Sequence, residues 1–312
     1  ARRLGVAPRV WLHRAGGRVV GHMGSIPVSL QVRNRVLQTG WLVDTMVFDE
    51  HRRRGLGSRL MVQAHEEQPF SLSLGQTAEM REIQLRLGWQ QIAPLEIAQL
   101  LIRPEHVLRG KLPKPAAMAA GLGLRASTAM RGLLRGKSEV CVKPVERFGE
   151  RHDTLWQTVS PTIGCGVVRD AGYLNWKYVD QPGQRFERFE MFDGDRLIGV
   201  AVLAIRDPEA TYLYRRALLV DVVASMGPEG DLERVIRAAA SAAESLGADA
   251  MVCMHVGAAL TRALKANGFT LRKPERVLLI DMGGLDQETQ RTLLDGSRWL
   301  VTQGDSDIDR PW

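Results

Sequence analysis

Residues 47–61 read Val47-Phe-Asp-Glu-His-Arg52-Arg-Arg-Gly55-Leu-Gly57-Ser-Arg-Leu-Met61, and what flanks them decides the fold. The preceding stretch, Trp41 to Val47, is apolar and alternating, and predicts a strand. The following stretch sets Leu56, Leu60, Met61 and Ala64 on one helical face. Between the two lie three arginines and two glycines. A strand that ends in a basic, glycine-bearing turn and leads into a helix aims unbonded N–H groups and a positive dipole end at one point. The glycines let the backbone approach a ligand with no Cβ in the way, or take positive φ. A pyrophosphate is the expected guest.

A second pattern follows at Ser71-Leu-Ser-Leu-Gly-Gln-Thr77. A short strand there precedes a helix over Ala78 to Leu87, with Met80, Ile83 and Leu87 on one stripe. Gly88 closes that helix as a C-terminal cap and Trp89 packs behind it.

Together these segments resemble the GNAT (GCN5-related N-acetyltransferase) superfamily. Arg52-x-x-Gly55-x-Gly57 matches the acetyl-CoA loop of that family, Val47 sits where the family places a strand valine, and Gly88-Trp89 matches its helix-ending Gly-aromatic pair. The resemblance implies acetyl-CoA or another acyl-CoA as co-substrate, with no metal. It implies that an N–H on the strand before the loop, at Met46 or Val47, polarises the thioester carbonyl. Amides from Arg53 to Ser58 (Arg53, Arg54, Gly55, Leu56, Gly57 and Ser58) hold the pyrophosphate, and Arg52, Arg53 and Arg54 add charge for it. Many members carry a tyrosine four residues before the glycine as general acid. Here that position is Gln84, and an amide donates no proton at neutral pH.

Asp44 is the candidate base or amine-orienting carboxylate, since it stands in an apolar strand three residues before Val47. Alternation puts it on the face of Met46, opposite Thr45 and Val47. Apolar neighbours are expected to raise its pKa toward neutrality. His22, on the preceding strand, is the second catalytic candidate.

The chain of 312 residues is long enough for two domains. It contains no apolar run of membrane-spanning length and no signal peptide pattern. Cys141, Cys165 and Cys253 are scattered without ligand spacing, which argues against a disulfide framework or a zinc site and fits a cytoplasmic protein. Net charge is +7, and Arg109, Lys111, Lys114, Arg125, Arg131, Arg135 and Lys137 supply seven cations with no acid between Glu105 and Glu139. The remainder is balanced, which speaks against a nucleic-acid binder. Segment 106–138 reads as a linker helix, or as a patch for anionic lipid.

The expected architecture is a mixed-sheet α/β fold of two tandem GNAT-like domains. Residues 1–104 form the first, apparently without its N-terminal elements, with strands at 70–75 and 92–103 around the second helix. Residues 105–138 are a basic linker. Residues 139–283 form a second, degenerate copy that ends in a strand at Val277 to Asp281, and 284–312 a C-terminal helix and acidic tail. Leu264-Lys-Ala-Asn-Gly268-Phe269 repeats the helix ending of the first copy. Where the first copy has its arginines, the second has Ser225-Met-Gly-Pro-Glu-Gly-Asp231, whose acids repel a pyrophosphate and whose proline removes a donor. Tyr173-Leu-Asn-Trp-Lys-Tyr178 concentrates aromatics that either pack a core or stack on a sugar. Asp305, Asp307 and Asp309 alternate in the tail, and read as frayed, or as meeting basic residues of the linker or an amine substrate.

The expected function is N-acylation of an amine on a small metabolite, with an amino sugar or envelope precursor as favoured acceptor. The absence of the tyrosine motivates a non-catalytic CoA-binding scaffold as the alternative. Aminoacyl transfer to cell-wall precursors is a further one, against which the Arg52-x-x-Gly55-x-Gly57 loop favours CoA over tRNA. No oligomeric state is implied.

Overall fold

The computed structural model describes residues 8–109, 118, 119, 123, 140–183, 185–227 and 230–308. Most of segment 106–138, and Asp309, lie outside the described residues.

The amino-terminal half runs β1 (Arg9–Ala15), β2 (Arg18–Val32), β3 (Arg35–Val47), α1 (Leu56–Glu67), β4 (Phe70–Leu74), α2 (Ala78–Arg86), β5 (Gln90–Pro94), β6 (Glu96–Leu101) and α3 (Pro104–Leu108). The carboxyl-terminal half runs β7 (Cys141–Pro144), α4 (Glu150–Val159), β8 (Cys165–Val167), α5 (Ala171–Tyr178), β9 (Glu187–Asp193) and β10 (Arg196–Arg206). It continues with β11 (Arg216–Ala224), α6 (Leu232–Ser245), β12 (Ala250–Val256), α7 (Ala258–Ala266), β13 (Thr270–Arg272), β14 (Val277–Met282), α8 (Gln287–Leu294) and β15 (Trp299–Thr302).

The strands join into one mixed sheet in two similar stretches. The first has the order β5-β14-β4-β3-β2, with β1 beside β2. In the second, β13, β6, β12, β11, β10, β9 and β7 lie side by side in that order. Strands β8 and β15 connect the two stretches, because β8 pairs with β2 and β15 pairs with both β8 and β12.

The two stretches exchange strands. The expected single strand 92–103 is two strands parted at Leu95. β5 stays in the first stretch, while β6 lies in the second, antiparallel to β12 from Glu96↔His255 to Leu101↔Ala250. In return β14, expected to end the second copy, lies in the first between β4 and β5. The segment boundaries drawn at 104 and 139 therefore divide the chain but not the sheet. His65 of α1 holds Asp281 of β14 at 2.5 Å across the exchange.

Hydrophobic patterning explains where these elements pack. Leu56, Leu60, Met61 and Ala64 turn inward from α1, and the last three meet Trp11, Met23, Leu42 and Trp89. Trp89 follows Gly88, whose φ of +89° ends α2, and its N–H donates to the Gln84 carbonyl at 3.1 Å. The same ending recurs at α7, where Gly268 has φ +85° and the Phe269 N–H donates to the Leu264 carbonyl at 3.1 Å. The aromatic run 173–178 forms α5, capped by Asp170, and Tyr178 is buried in the core. Cys165 and Cys253 are buried, Cys141 exposed.

The acidic tail is not frayed as far as Ile308. Thr302 to Ile308 are all buried. Arg169, fully buried, donates to Asp221 at 2.8 Å and to Asp305 at 2.6 Å. Tyr178 and Thr302 also donate to Asp221, and the Lys177 ammonium donates to the Ser306 carbonyl. Burial pushes the Asp305 carboxyl up to about 6, against the pull of Arg169. A run of acids reads as solvated until a guanidinium from a distant loop is known to face it.

Candidate functional site

β3 and β4 are parallel and paired only at Trp41↔Leu72 and Leu42↔Ser73. Beyond Leu42, β3 continues to Val47 while β4 ends at Leu74, so the strands part. A bulge marks the parting. His22 pairs with Met46 and Gly24 with Val43, which sets Asp44 and Thr45 together against Met23. Asp44 takes φ +51°, a left-handed conformation unusual for a residue with a side chain.

The bulge corrects two expectations for Asp44. Alternation fails there, since Asp44, Thr45 and Met46 are all exposed. The apolar enclosure expected around it is therefore absent. Periodicity could not have shown this, because one inserted residue leaves the composition of a strand unchanged.

The parted strands open a cavity of about 510 Å³. His22, Asp44, Met46 and Arg52 line it, with Ser73, Gln76, Thr77 and Gln84 opposite. Arg276, Asp307 and Ile308 complete the wall from the other half of the chain. Gly75, at φ +80°, lets the tail come close, since a Cβ there would lie 2.7 Å from Ile308 Cγ2. Asp307 was expected in a tail with either no contact or a basic or amine one, and its place in this wall depends on pairing far from it in sequence. Gln84 is 1% exposed, and its Oε1 has no hydrogen-bond partner among the described residues.

The arginine turn adjoins this cavity through Arg52. The Arg52 guanidinium donates to the Val47 carbonyl at 3.1 Å and pairs with Asp49 at 2.9 Å, which fixes the turn to the end of β3. Arg53 has φ +61° and Gly55 φ +75°, so the backbone coils left-handed twice before α1 begins. The first helical bond runs from the Arg59 N–H to the Gly55 carbonyl at 3.0 Å. The N–H groups of Leu56, Gly57 and Ser58 thus have no acceptor within the helix. A Cβ at Gly55 or Gly57 would meet nothing within 4 Å. The Leu56 side chain turns into the core, so this residue faces a ligand only through its backbone. Val47 and Arg53 to Ser58 lie outside the lining of the cavity. Such a turn, with exposed guanidiniums and open amides, can hold a phosphate.

A family model described as an acetyltransferase (GNAT) domain matches residues 2–92. Over those residues this chain is similar to a GNAT domain. The parting of β3 and β4 and the arginine turn both lie within the matched residues. A GCN5-related N-acetyltransferase from Anabaena variabilis aligns in structure with a TM-score of 0.58 at 14% identity, over 86% of this chain and 62% of its own. A conserved Enterococcus faecalis protein, described as a probable N-acyltransferase, aligns with a TM-score of 0.54 at 9% identity, over 87% of this chain and 61% of its own. N-myristoyltransferase from Saccharomyces cerevisiae, solved with bound myristoyl-CoA, aligns with a TM-score of 0.56 at 9% identity, over 90% of this chain and 74% of its own. At these identities the alignments establish the fold, which is GNAT-like across both halves. The chain spans 62% and 61% of the first two of these structures. No curated protein matches it in sequence. Among the described residues no helix is long and apolar enough to cross a membrane.

Proposed function

We propose that the GNAT-like amino-terminal half of this chain transfers an acyl group, acetyl in the simplest case, from coenzyme A to an amine of a small metabolite such as an amino sugar or envelope precursor. One observation carries the reading: a wedge between parallel strands opens beside a turn whose amides and guanidiniums suit a pyrophosphate. In this reading the amides of Arg53 to Ser58 hold the pyrophosphate and the thioester enters the wedge. An N–H at Met46 or Val47, beyond the β3–β4 ladder, polarises the thioester carbonyl. The amine nitrogen then attacks the carbonyl carbon, a C–N bond forms, the C–S bond breaks and coenzyme A departs as thiolate. Asp44 takes the proton that the amine sheds, with His22 as second candidate. Asp307 lines the same cavity and offers an ammonium a second carboxylate.

Turnover of acetyl-CoA with a panel of amines tests the reading, read as free thiol and abolished by Asp44→Asn. Unchanged CoA affinity in Arg53→Glu/Arg54→Glu would remove the assignment of the turn. Gln84 favours a second reading, a CoA-binding scaffold, because no acid stands at its position to protonate the thiolate. Tight CoA binding with no turnover across the panel selects that reading.

A further inference from the structure

A second cavity, of about 570 Å³, lies where the β2–β3 turn meets the carboxyl-terminal half and shares no lining residue with the first. Its size is that of a small-molecule site. Three arginines line it: Arg33 from the β2–β3 turn, Arg262 from α7 and Arg298 just before β15. No carboxylate is among the described lining residues. Arg33 and Arg298 also line an adjoining recess of about 230 Å³ with Glu288, Arg291 and Asp295. Among the described residues the two spaces together hold four guanidiniums against two carboxylates. Among the described residues one ion pair joins them, Arg33 with Glu288, which is 3.6 Å long and exposed on both sides, so it neutralises little.

The arginines start from tightly fixed backbone. Arg33 takes φ +51° and its N–H donates to the Gly164 carbonyl at 2.7 Å. A Cβ at Gly164 would lie 2.7 Å from Arg298 Cβ, and one at Gly257 would lie 1.7 Å from the Trp299 carbonyl oxygen. Only glycine permits these two approaches, which bring three distant parts of the chain around one opening. Gly257 also precedes α7, where no side chain caps the helix and the first bond runs from the Thr261 N–H to the Gly257 carbonyl. Ala258 and Ala259 line the cavity, and their N–H groups have no acceptor within the helix.

We infer that this second cavity binds a phosphate-bearing anion, with a diphosphate as the group best matched to three guanidiniums. The site is separate from the arginine turn of the first half and does not rest on the coenzyme A reading.

Calorimetric titration with inorganic pyrophosphate tests it, in the wild type and in two double variants. The expected result is saturable binding that Arg53→Glu/Arg54→Glu leaves in place and that the two double variants combined weaken at least tenfold. Added alone to Arg53→Glu/Arg54→Glu, Arg262→Ala, on an exposed helix position, guards against misfolding and is expected to weaken binding at least threefold. Cosedimentation with phosphatidate vesicles, abolished by Arg262→Ala/Arg298→Ala, would mark the phosphate as a lipid headgroup's. Pyrophosphate binding without cosedimentation would mark it as a soluble compound's, and either result supports the site. Absence of saturable binding at millimolar pyrophosphate overturns it. So does binding that survives Arg262→Ala/Arg298→Ala and disappears in Arg53→Glu/Arg54→Glu.

Discussion

In the first half β3 and β4 part after Leu42, in the second β11 and β12 part after Leu218, and each longer strand bulges two residues further on, at Asp44 and at Val220. The first opening is a cavity. The second is filled by the chain's own tail. β15 pairs with β12 at His255↔Thr302 and Val256↔Val301, and Gly304 lies against the Val220 carbonyl and the Tyr178 hydroxyl. The loops beyond the openings differ in the same sense. The amides of Leu56, Gly57 and Ser58 are open, whereas the Leu232 N–H donates to the Ser225 carbonyl, Gly230 to Gly227 and Met226 to the Thr162 hydroxyl. Asp231 does not stand free to repel an anion, since Arg196 and Arg234 both donate to it. Gln84 faces the first cavity while Leu264, at the matching helix position, is fully buried. One framework thus gives a binding wedge or a self-filled core according to whether a peptide segment lies in the gap.

Emptying the filled gap is expected to have the largest effect. Arg169→Met strands Asp221 and Asp305 as buried carboxylates and should lower unfolding free energy by about 3–5 kcal/mol in urea titration. A loss below about 1 kcal/mol would mean that the ion cluster does not hold the tail. The open side is tested by Arg53→Glu/Arg54→Glu, which should weaken CoA binding by about 2–4 kcal/mol in calorimetry.

His255 sharpens the contrast through pH. Burial lowers its pKa to about 4, so the unfolded chain takes up a proton first as pH falls. Its contribution is complete above the ordinary histidine range and is lost as pH falls toward 4, by up to about 3 kcal/mol. Asp305, raised to about 6, acts in the opposite direction over part of that window. The wild type should therefore lose about 3 kcal/mol more between pH 7 and pH 4 than His255→Asn does. Parallel curves would show that His255 does not titrate differently in the fold.

The smallest effects come from one substitution made on both sides. In Gly304→Ala the new Cβ meets the Tyr178 hydroxyl at 2.2 Å and the Val220 carbonyl at 2.9 Å. Stability should fall by about 1–3 kcal/mol. In Gly57→Ala the Cβ meets nothing, so thermal stability should hold within about 0.5 kcal/mol. CoA affinity should nonetheless fall, if a phosphate approaches that backbone. Equal stability losses at the two glycines would remove the distinction between filled and open.

The contrast was partly legible in the sequence. The Arg52 to Gly57 turn, the α1 stripe and the Gly-aromatic helix endings depend on neighbouring residues, and were readable for that reason. The strand exchange was not, because β6 and β14 have the alternation of any strand and their partners are set by pairing across the chain. Leu95, which separates strands of the two stretches, is a single residue inside one continuous strand-like segment. The tail was misread because its charge balance lies 136 residues away, at Arg169. Arg33, Arg262 and Arg298 gave no signal, since only the fold brings them to one cavity.

Exchanged strands also order events during synthesis. Residues 70–94 leave the ribosome with a slot between β4 and β5 that only Val277–Met282 can fill. Until then the nascent amino-terminal half exposes two unpaired strand edges, the kind of surface that recruits wrong partners. Neither half is then a module that can be moved alone into another protein. A graft of the arginine turn would have to carry its borrowed strand with it.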